Sequence, residues 1–362
     1  MTRIYLVRHA EAEGNLYRIA QGQDNSNLTD RGWRQVEAVE RRFADVHVDA
    51  VYASDLYRTC ATASAIYKPK GLPLHRRKDL REICVGAWEQ RTWGDIARED
   101  EEQLSNFNLR PDLWFVEGAE TPQQVTERVL AAAREIAEAN EGKTVALVSH
   151  GYAIRLLLAA VQGIPLADLA KTPVADNTAV SLLEYENGEM RVVFRDDSGH
   201  LKTPEYLAGE KVRLRASALE VGLYFLPLRL PEQADDFAGF VETIWHETGR
   251  TAPFDRERLL RDAGERTTLA GFLRGEFVGV VQMVPETGWL SLVCVKEHAR
   301  KQGFGAQLIG QAVLASRRAG SKTLQVARGS EEHFFEDYGF RPAEDGAVLE
   351  KYIAFDPEFL SE

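Results

Sequence analysis

The chain has 362 residues, of which 44% are hydrophobic and 28% are charged, and its formal net charge is −12. A prior of about 150 residues per domain predicts two globular domains, and this composition excludes a disordered or fibrous protein. The negative charge argues against a nucleic-acid partner, because binding a polyanion requires a basic face that releases counterions.

Membrane and redox signals are weak. No apolar run reaches the roughly 20 residues that span a bilayer, and an apolar strand-like run begins too early to leave space for a secretory signal. We therefore expect a cytoplasmic protein with no membrane contact. The three cysteines Cys60, Cys84 and Cys294 form no CxxC pair, which argues against a disulfide framework and a zinc ribbon.

The first half of the chain alternates between two patterns. Apolar runs at Ile4–Val7, Val51–Ala53, Val145–Ser149 and Ala179–Leu183 predict strands, and the periodicity of Gly32–Phe43, Ser54–Tyr67, Thr121–Ala139 and Tyr152–Val161 predicts helices. This alternation indicates a mainly parallel sheet with helices on its faces. We predict a first domain over residues 1–197 and a polar linker over residues 198–219.

A second pattern begins after the linker and occupies residues 220–362. It consists of a strand Tyr224–Leu230, a helix Pro231–Glu247, a hairpin of Thr268–Arg274 with Phe277–Val284, a strand Trp289–Val295, a glycine-rich turn, a helix Ala306–Ala319 and a strand Thr323–Ala327. The two halves share no repeat, so we predict a second, smaller and different α/β domain.

Five residues of the first half suggest phosphoryl transfer. His9 and His150 each follow an apolar run, at the strand ends where open parallel sheets bind ligands, and Arg8, Arg58 and Glu82 follow similar runs. Two arginines can bind phosphate oxygens bidentately, one neutral imidazole can attack phosphorus, and a carboxyl group can protonate the leaving oxygen.

Three other interpretations fit these residues less well. A single Arg-His at a strand end is more often a solvated turn, but five such residues together argue against that explanation. Zinc binding by His9 and His150 lacks a third ligand at a usual spacing. A hydrolase pair of Ser149 with His150 is weaker still, because adjacent residues at a strand end do not face each other and no nucleophile elbow is present.

The motifs LVRHAEAEGN, QGQDNSNLTDRG, VYASDLYRTCATA, REICVGAWE and VALVSHG, in this order, resemble the histidine phosphatase, or phosphoglycerate-mutase-like, superfamily over residues 1–195. The resemblance implies a three-layer α/β/α fold in which His9 is the phosphorylated nucleophile and Glu82 the proton donor. It further implies that the phosphate is held by Arg8, Arg58 and His150, in a pocket also lined by Asn15, Gln21 and Gly22. The chain departs from the family pattern at Ala10, Ala12 and Gln90, which affects substrate contacts more than the phosphohistidine chemistry.

The segment after Glu82 bears on the choice between phosphatase and mutase. Mutases of the superfamily usually carry an extended insertion there, whereas GAWEQRTWGDI leads quickly into a helix, so the compact form resembles the broad-specificity phosphatases. We expect hydrolysis of a small phosphorylated metabolite without a metal, with a mutase as the alternative. The basic run His75–Lys78 with Arg81 either steers such substrates or is a solvated surface.

The turn Arg300–Gly305 lies between a strand and a helix, where glycines allow close backbone approach and helix N–H groups bind anions. With the hairpin before it and HFFEDYGF after it, this turn resembles the GCN5-related N-acetyltransferase (GNAT) fold over residues 220–355. The resemblance implies acetyl-CoA as co-substrate. Its implied contacts are Val293, Val295, Arg300, Gln302, Gly303, Phe304 and Gly305. A mononucleotide phosphate loop is the rival, but the chain lacks the Gly-Lys-Ser/Thr ending.

The residues expected to catalyse acetyl transfer in the second domain depart from the family pattern. The family commonly has a tyrosine acid where this chain has Phe335, Tyr338 lies one turn away, and Arg328 stands at a position often occupied by asparagine. Glu297 or His298 is a candidate base. We expect a bifunctional protein that also acetylates an amine of unknown identity. The alternative is a phosphatase regulated by a non-catalytic acyl-CoA-sensing domain.

Overall fold

The computed structural model describes residues 1–209, 222–248, 253–329, 332–344 and 346–360 as two α/β units, each with its own sheet. The strands are β1 Thr2–Arg8, β2 Ala50–Ser54, β3 Leu74–Arg77, β4 Thr144–Ser149, β5 Val180–Glu186, β6 Glu189–Asp197, β7 Tyr224–Pro227, β8 Thr267–Leu273, β9 Glu276–Val284, β10 Trp289–Val295, β11 Thr323–Ala327, β12 Arg341–Pro342 and β13 Val348–Tyr352. The helices are α1 Glu13–Tyr17, α2 Asp30–Phe43, α3 Tyr57–Lys70, α4 Trp93–Glu99, α5 Glu101–Leu109, α6 Pro122–Ala139, α7 Gly151–Val161, α8 Pro204–Leu207, α9 Ala234–Glu247, α10 Arg256–Glu265, α11 Phe304–Arg318 and α12 Glu332–Glu336.

The first sheet has the order β3-β2-β4-β1-β5-β6. Strands β1 to β4 are parallel to one another, and β5 and β6 continue the sheet in antiparallel fashion. Ile4 and Leu6 of β1 pack into one hydrophobic cluster with α6 and α7, whereas Val7 packs into another with α2 and α3. The sheet is therefore buried on both faces, which confirms the predicted three-layer α/β/α fold.

The second sheet has the order β12-β13-β11-β10-β9-β8-β7, and β10 with β11 is its parallel pair. These two strands pair only at Trp289 with Gln325 and at Leu290 with Val326, and the pairing of β10 with β9 changes register between Leu290 and Leu292. The parallel strands therefore diverge toward the end of β10. Helices α9 and α10 pack on one cluster and α11 on another, as expected for a smaller α/β domain.

Residues 198–209, the described part of the predicted linker, pack against α2. His200 and Tyr206 are buried, the Arg42 guanidinium contacts His200 Nδ1 at 3.1 Å, and Arg34 donates to the carbonyls of Tyr206 and Gly209. The rest of the predicted linker, residues 210–219, lies outside the described ranges.

The two units are packed directly against each other. Tyr17 of α1 lies against Gly310 of α11, where an added Cβ would come within 2.5 Å of Tyr17 Cβ. Arg317 of α11 forms an ion pair with Glu13 at 2.9 Å. The C-terminal Phe355 and Phe359 return to the first unit, with ring centroids 5.3 and 5.7 Å from that of Tyr57.

The close contact at Gly310 predicts opposite effects for two Gly→Ala substitutions inside helices. Gly310→Ala should lower the free energy of unfolding by about 1–3 kcal/mol, because the methyl group overpacks the interface. Gly239→Ala in α9, where an added Cβ meets nothing within 4 Å, should raise it by roughly 0.5–1 kcal/mol. Urea unfolding of both variants tests this, and a shift of the two midpoints in the same direction would contradict it.

Candidate active site

The parallel pairing of β1 with β4 brings the two predicted strand ends together. Arg8 lies opposite Ser149 in the register, so His9 and His150 follow at the same edge of the sheet. Their ring centroids are 5.3 Å apart, and both side chains are buried. The sequence motifs separated by about 140 residues thus form one imidazole pair.

His9 is held in one tautomer. Its Nδ1 lies 2.7 Å from the carbonyl oxygen of Ala10, and because a carbonyl only accepts, Nδ1 must carry the proton. Nε2 therefore has a free lone pair. Burial, followed by the charges of Arg58 and Arg8, holds the pKa of His9 well below its usual range, so the ring is neutral at physiological pH.

His150 is the second ring of the pair. Its Nε2 lies 2.9 Å from Ser54 Oγ, and within the described residues its buried Nδ1 has no partner. Burial, with Arg58 next, also lowers the pKa of His150 well below the usual value. A neutral imidazole with a buried unpaired nitrogen is suited to an incoming polar ligand.

Two buried guanidinium groups border the imidazoles. Arg58 is 1% exposed and donates to the carbonyls of Gly22 and Asp24, each at 2.8 Å, and Arg8 donates to the carbonyl of Ala175. Burial lowers the pKa of Arg58 to about 10, which leaves it charged at neutral pH. In both arginines Nε has no acceptor among the described residues. The site therefore concentrates positive charge, which favours an anion.

Glu82 is oriented by the start of α7. Its carboxylate accepts N–H bonds from Tyr152 at 3.1 Å and Ala153 at 2.9 Å, and a third from Ile83 at 3.1 Å. Gly151, the first residue of α7, allows Arg8 to approach the same helix start, since a Cβ there would lie 3.0 Å from Arg8 Nε. The carboxylate is thereby fixed beside the arginines, whose pKa values it influences.

The three predicted substrate contacts occupy different positions. Gly22 contributes its carbonyl to Arg58. Asn15 is exposed, accepts the N–H of Ala12 at 3.0 Å and lies 3.4 Å from Asn177 Nδ2. Gln21 lines a cavity between the two domains, and none of the five predicted catalytic residues lines that cavity.

The structure adds two residues that the sequence interpretation did not assign. Glu89 accepts the N–H groups of Gln23 and Val85, each at 3.0 Å, and burial raises its pKa to about 7. The Trp88-Glu89 motif is the sequence feature that could have identified Glu89. Asn177 donates to the His9 carbonyl at 3.0 Å, and no sequence pattern marked it.

The predicted basic run is largely engaged in local contacts. Arg77 pairs with Asp79 at 2.6 Å and with Glu135 at 2.9 Å, Arg81 pairs with Asp55 at 2.6 Å, and Arg76 donates to the Glu358 carbonyl at 2.7 Å. These ion pairs compensate charges that would otherwise attract a substrate.

The predicted acetyl-CoA turn follows the diverging strand. Val293 and Val295 of β10 pair with β9, and beyond Leu290 no residue of β10 pairs with β11 in the described sheet. Arg300 donates to the Val295 carbonyl at 2.9 Å and pairs with Glu247 at 2.8 Å, which fixes the turn. Gly303 has a φ of +85° and precedes Phe304, the first residue of α11. The first N–H groups of a helix, here those at the Gly303–Gly305 turn, have no acceptor within the helix.

The residues at the positions considered for catalysis in the second domain contact neighbouring side chains. The Phe335 ring centroid lies 5.4 Å from that of Phe340, and the Tyr338 ring lies 5.2 Å from Phe334. Arg328 pairs with Glu332 at 2.9 Å, and His298 Nε2 is 3.3 Å from a Glu276 oxygen.

The α/β/α fold and this cluster of histidines, arginines and glutamate are typical of the phosphoglycerate-mutase-like class. The chain belongs to the histidine phosphatase superfamily, branch 1, whose family model matches residues 4–198. The model of the acetyltransferase (GNAT) domain matches residues 265–342 of the same chain. Both predicted family resemblances are confirmed.

Individual relatives cover the first domain. The probable phosphoglycerate mutase GpmB of Salmonella typhi is 31% identical over 209 residues, 56% of this chain and 97% of that protein. The structure of YhfR from Bacillus stearothermophilus is 31% identical with a TM-score of 0.54, covering 56% of this chain and 100% of that one. A mycobacterial glucosyl-3-phosphoglycerate phosphatase complexed with VO3 is 25% identical with a TM-score of 0.50, covering 54% and 99% respectively.

Two further observations apply to the described part of the chain. No helix there has the length and apolar character needed to cross a bilayer. No group of three or more His, Cys, Asp or Glu side chains in the same ranges is arranged to hold a metal ion.

The lowered pKa values of the two buried histidines predict that both stay neutral as the pH falls through about 6.5, the value at which an ordinary histidine gains its charge. Their Hε1–Cε1 NMR signals, assigned with His9→Gln and His150→Gln, should not shift between about pH 7.5 and about pH 6. A titration midpoint near 6.5 for either ring would contradict the buried, neutral pair.

Proposed function

We propose that the first domain is a phosphomonoesterase that works through a phosphohistidine. The observation that carries the proposal is the buried, neutral His9, whose Nδ1 donates to the Ala10 carbonyl and whose Nε2 is left as a nucleophile beside Arg8 and Arg58. Uncatalysed phosphate-monoester hydrolysis is among the slowest biological reactions, so a dense set of cationic donors at this point has a clear chemical use.

The proposed reaction has two steps. His9 Nε2 attacks phosphorus while Glu82, protonated at the start of the cycle, gives its proton to the leaving alcohol oxygen, so that the P–O bond breaks as the P–N bond forms and Glu82 becomes a carboxylate. Arg8, Arg58 and His150 hold the phosphoryl oxygens. Water then attacks the phosphohistidine, Glu82 accepts its proton, and inorganic phosphate leaves. His9 returns to its neutral form, so the cycle requires no metal.

We propose a small phosphorylated metabolite as substrate. The names of the relatives support phosphorylated three-carbon acids and their glycosides as the first compounds to try. We also propose that the first domain comprises residues 1–197, that residues 198–219 connect the domains, and that the second comprises residues 220–362. Hydrolysis is favoured over mutase action by the compact segment between Glu82 and α4.

Removal of the proposed nucleophile tests the first activity. His9→Ala should reduce phosphate release from 3-phosphoglycerate, glucosyl-3-phosphoglycerate or p-nitrophenyl phosphate by about a thousandfold or more, as loss of a covalent nucleophile does. His47→Ala, which removes an exposed histidine outside the proposed site, should leave the rate unchanged. Phosphate release by the His9→Ala protein at the wild-type rate would refute the phosphohistidine. Conversion of 3- to 2-phosphoglycerate without phosphate release, followed by ³¹P NMR, would instead identify a mutase.

We infer that the second domain binds acetyl-CoA and transfers its acetyl group to an amine. The residues present fit this co-substrate, which supplies an acetyl thioester when bound. The N–H groups at Gly303–Gly305, with Gln302 and the ordered Arg300, would hold its pyrophosphate. The edge of β10 at Val293 and Val295 would pair with its pantetheine. A sensor without acetyl transfer is the second candidate, favoured by Phe335, whose side chain cannot donate a proton.

Two glycines at opposite ends of α11 provide a matched test of this site. Gly303→Val and Gly320→Val each place a β-branched residue at a positive φ, +85° and +86°, with nothing within 4 Å of the added Cβ. Acetyl-CoA affinity, measured by calorimetry, should fall at least about tenfold for Gly303→Val and stay unchanged for Gly320→Val. Equal effects would contradict a site at the turn. Acetyl-CoA binding without an acetylated product from any amine would favour the sensor.

A further inference from the structure

The loop of residues 175–178, which leads into β5, holds the backbone at the end of β1. The N–H of Thr178 donates to the Arg8 carbonyl at 3.1 Å. The side-chain amide of Asn177 donates to the His9 carbonyl at 3.0 Å. The backbone of the proposed nucleophile and of the residue before it is therefore fixed by this one loop.

Thr178 adopts an unusual backbone conformation for a threonine. Its φ is +59°, in the left-handed region where a β-branched residue is strained, and the residue is completely buried. Strain of this kind persists where the surrounding contacts fix it, and it is found preferentially at functional sites. A glycine or an asparagine would adopt the same φ with less strain. The threonine therefore indicates a use for its side chain.

The hydroxyl group of Thr178 connects the loop to the predicted linker. Arg42 lies 3.1 Å from His200 Nδ1, and because a guanidinium only donates, this nitrogen must be the acceptor. His200 Nε2 therefore carries the proton and donates to Thr178 Oγ1 at 3.0 Å. The Thr178 hydroxyl in turn donates to the Asn177 carbonyl at 2.7 Å. One chain of hydrogen bonds thus runs from α2 through the predicted linker to the loop.

The surroundings of His200 keep this chain of hydrogen bonds in one arrangement. Burial, with the charge of Arg42 next, lowers the pKa of His200 to about 4, so the ring stays neutral at physiological pH. Asp197 accepts from Arg42 at 2.7 Å, which fixes the guanidinium. Ser198 Oγ lies 3.3 Å from Asp176 Oδ2. The predicted linker therefore contacts the loop at two points.

We propose that Thr178 and His200 are positioning residues for His9. His200 holds the Thr178 hydroxyl, and this bond keeps the strained loop in place. The loop then fixes the carbonyls of Arg8 and His9. The effect on the reaction rests on the proposed phosphatase function, whereas the effect on the position of the His9 ring does not.

The His9 ring follows the movement of its backbone. Its Nδ1 is bound to the adjacent Ala10 carbonyl at 2.7 Å, so a shift of the backbone also shifts Nε2. Misplacing a reacting group by about 1 Å can reduce a rate by about a hundredfold. Arg58 and His150, two of the groups proposed to hold the phosphate, are supported by other elements. We therefore expect the loop to affect kcat more than KM.

Two substitutions at Thr178 test the role of its hydroxyl. Thr178→Val keeps the shape and the β-branching but removes the hydroxyl, whereas Thr178→Ser keeps the hydroxyl. With p-nitrophenyl phosphate, Thr178→Val should lower kcat at least about tenfold and change KM by less than about threefold. The kcat of Thr178→Ser should stay within about threefold of the wild-type value. Equal kcat values for the two variants overturn the proposal.

Thr2→Val is the matched control, because it also removes a buried threonine hydroxyl, at the opposite end of β1. Thr2 is 1% exposed, and its Oγ1 donates to the carbonyls of Ala137 at 2.9 Å and Asn140 at 3.1 Å. This variant should lower the urea midpoint without changing kcat. A loss of kcat as large as that of Thr178→Val would show that stability alone is responsible, and it would overturn the positioning role.

The Hε1–Cε1 NMR signal of His9 tests the position of the ring without any substrate. The signal should move by more than its line width in Thr178→Val, because the hydroxyl that holds the loop is lost. It should stay in place in Thr2→Val. A His9 signal at the wild-type position in Thr178→Val refutes the positioning.

Two substitutions at His200 test the other end of the hydrogen bond. His200→Gln keeps an acceptor for Arg42 and a donor for Thr178, whereas His200→Phe keeps neither. The phenylalanine variant should lose at least about tenfold in kcat, and the glutamine variant should retain most of it. This comparison also decides the proposal if the Thr178→Val protein does not fold. Equal kcat values for the two His200 variants overturn the role of His200.

The phosphatase and the positioning role fail in distinguishable ways. If the wild-type protein releases no phosphate from any monoester tested, the proposed function fails, and the His9 signal still decides the positioning. If the wild-type protein hydrolyses p-nitrophenyl phosphate and Thr178→Val matches it in kcat and in the His9 signal, the positioning alone is refuted.

Discussion

The pairing of β1 with β4 is the interaction on which the first site depends, because it places two imidazoles and an arginine in one buried volume. Burying such groups is unfavourable unless each is neutral or compensated. The histidines meet this condition by remaining uncharged, and Arg58 meets it by donating to two backbone carbonyls. The same desolvation that would destabilise a charged histidine keeps His9 in the neutral form that the proposed attack on phosphorus requires. The neutral form of His9 is therefore the form that both the stability of the buried site and the proposed reaction require.

The contacts that hold Arg58 continue to the interface between the two domains. Glu89 accepts the N–H of Gln23, next to the Gly22 carbonyl that Arg58 uses, and a Cβ on Gly22 would come within 1.9 Å of Glu89 Oε1. This loop then borders the cavity whose far wall belongs to α11. A path of direct contacts therefore connects the proposed phosphate site with the second domain. Contact alone does not establish coupling, which requires that both sites bias the same change in structure.

The sequence was sufficient for features that depend on local pattern. Apolar runs such as Ile4–Val7 identified the central strands, whose carboxyl ends carry His9 and His150. The sequence was insufficient to predict the edge strands and the contacts between the domains. β3 has the sequence LHRR and β6 alternates exposed with partly buried residues, so neither has the apolar run of a central strand. The polar segment after residue 197 is predicted to be a linker, and its composition does not show that His200 and Tyr206 are buried against α2. The orientation of Gln21 and the need for Gly310 depend on residues hundreds of positions away.

Helix α11 joins the two domains by direct packing as well as by the connecting chain. The N-terminus of α11 follows the proposed acetyl-CoA turn. Its C-terminal half contacts α1 and lines the cavity between the domains. Both ends belong to one continuous helix, which rises about 1.5 Å per residue. Gly310 leaves no space for even a methyl group beside Tyr17. Displacing α11 at its first turn must therefore either deform the helix or move α1. Because packed interiors resist compression, a rigid shift is the less costly response. Helix α11 of the GNAT domain is consequently also a structural part of the histidine phosphatase superfamily domain, so the two domains cannot be treated as independent modules.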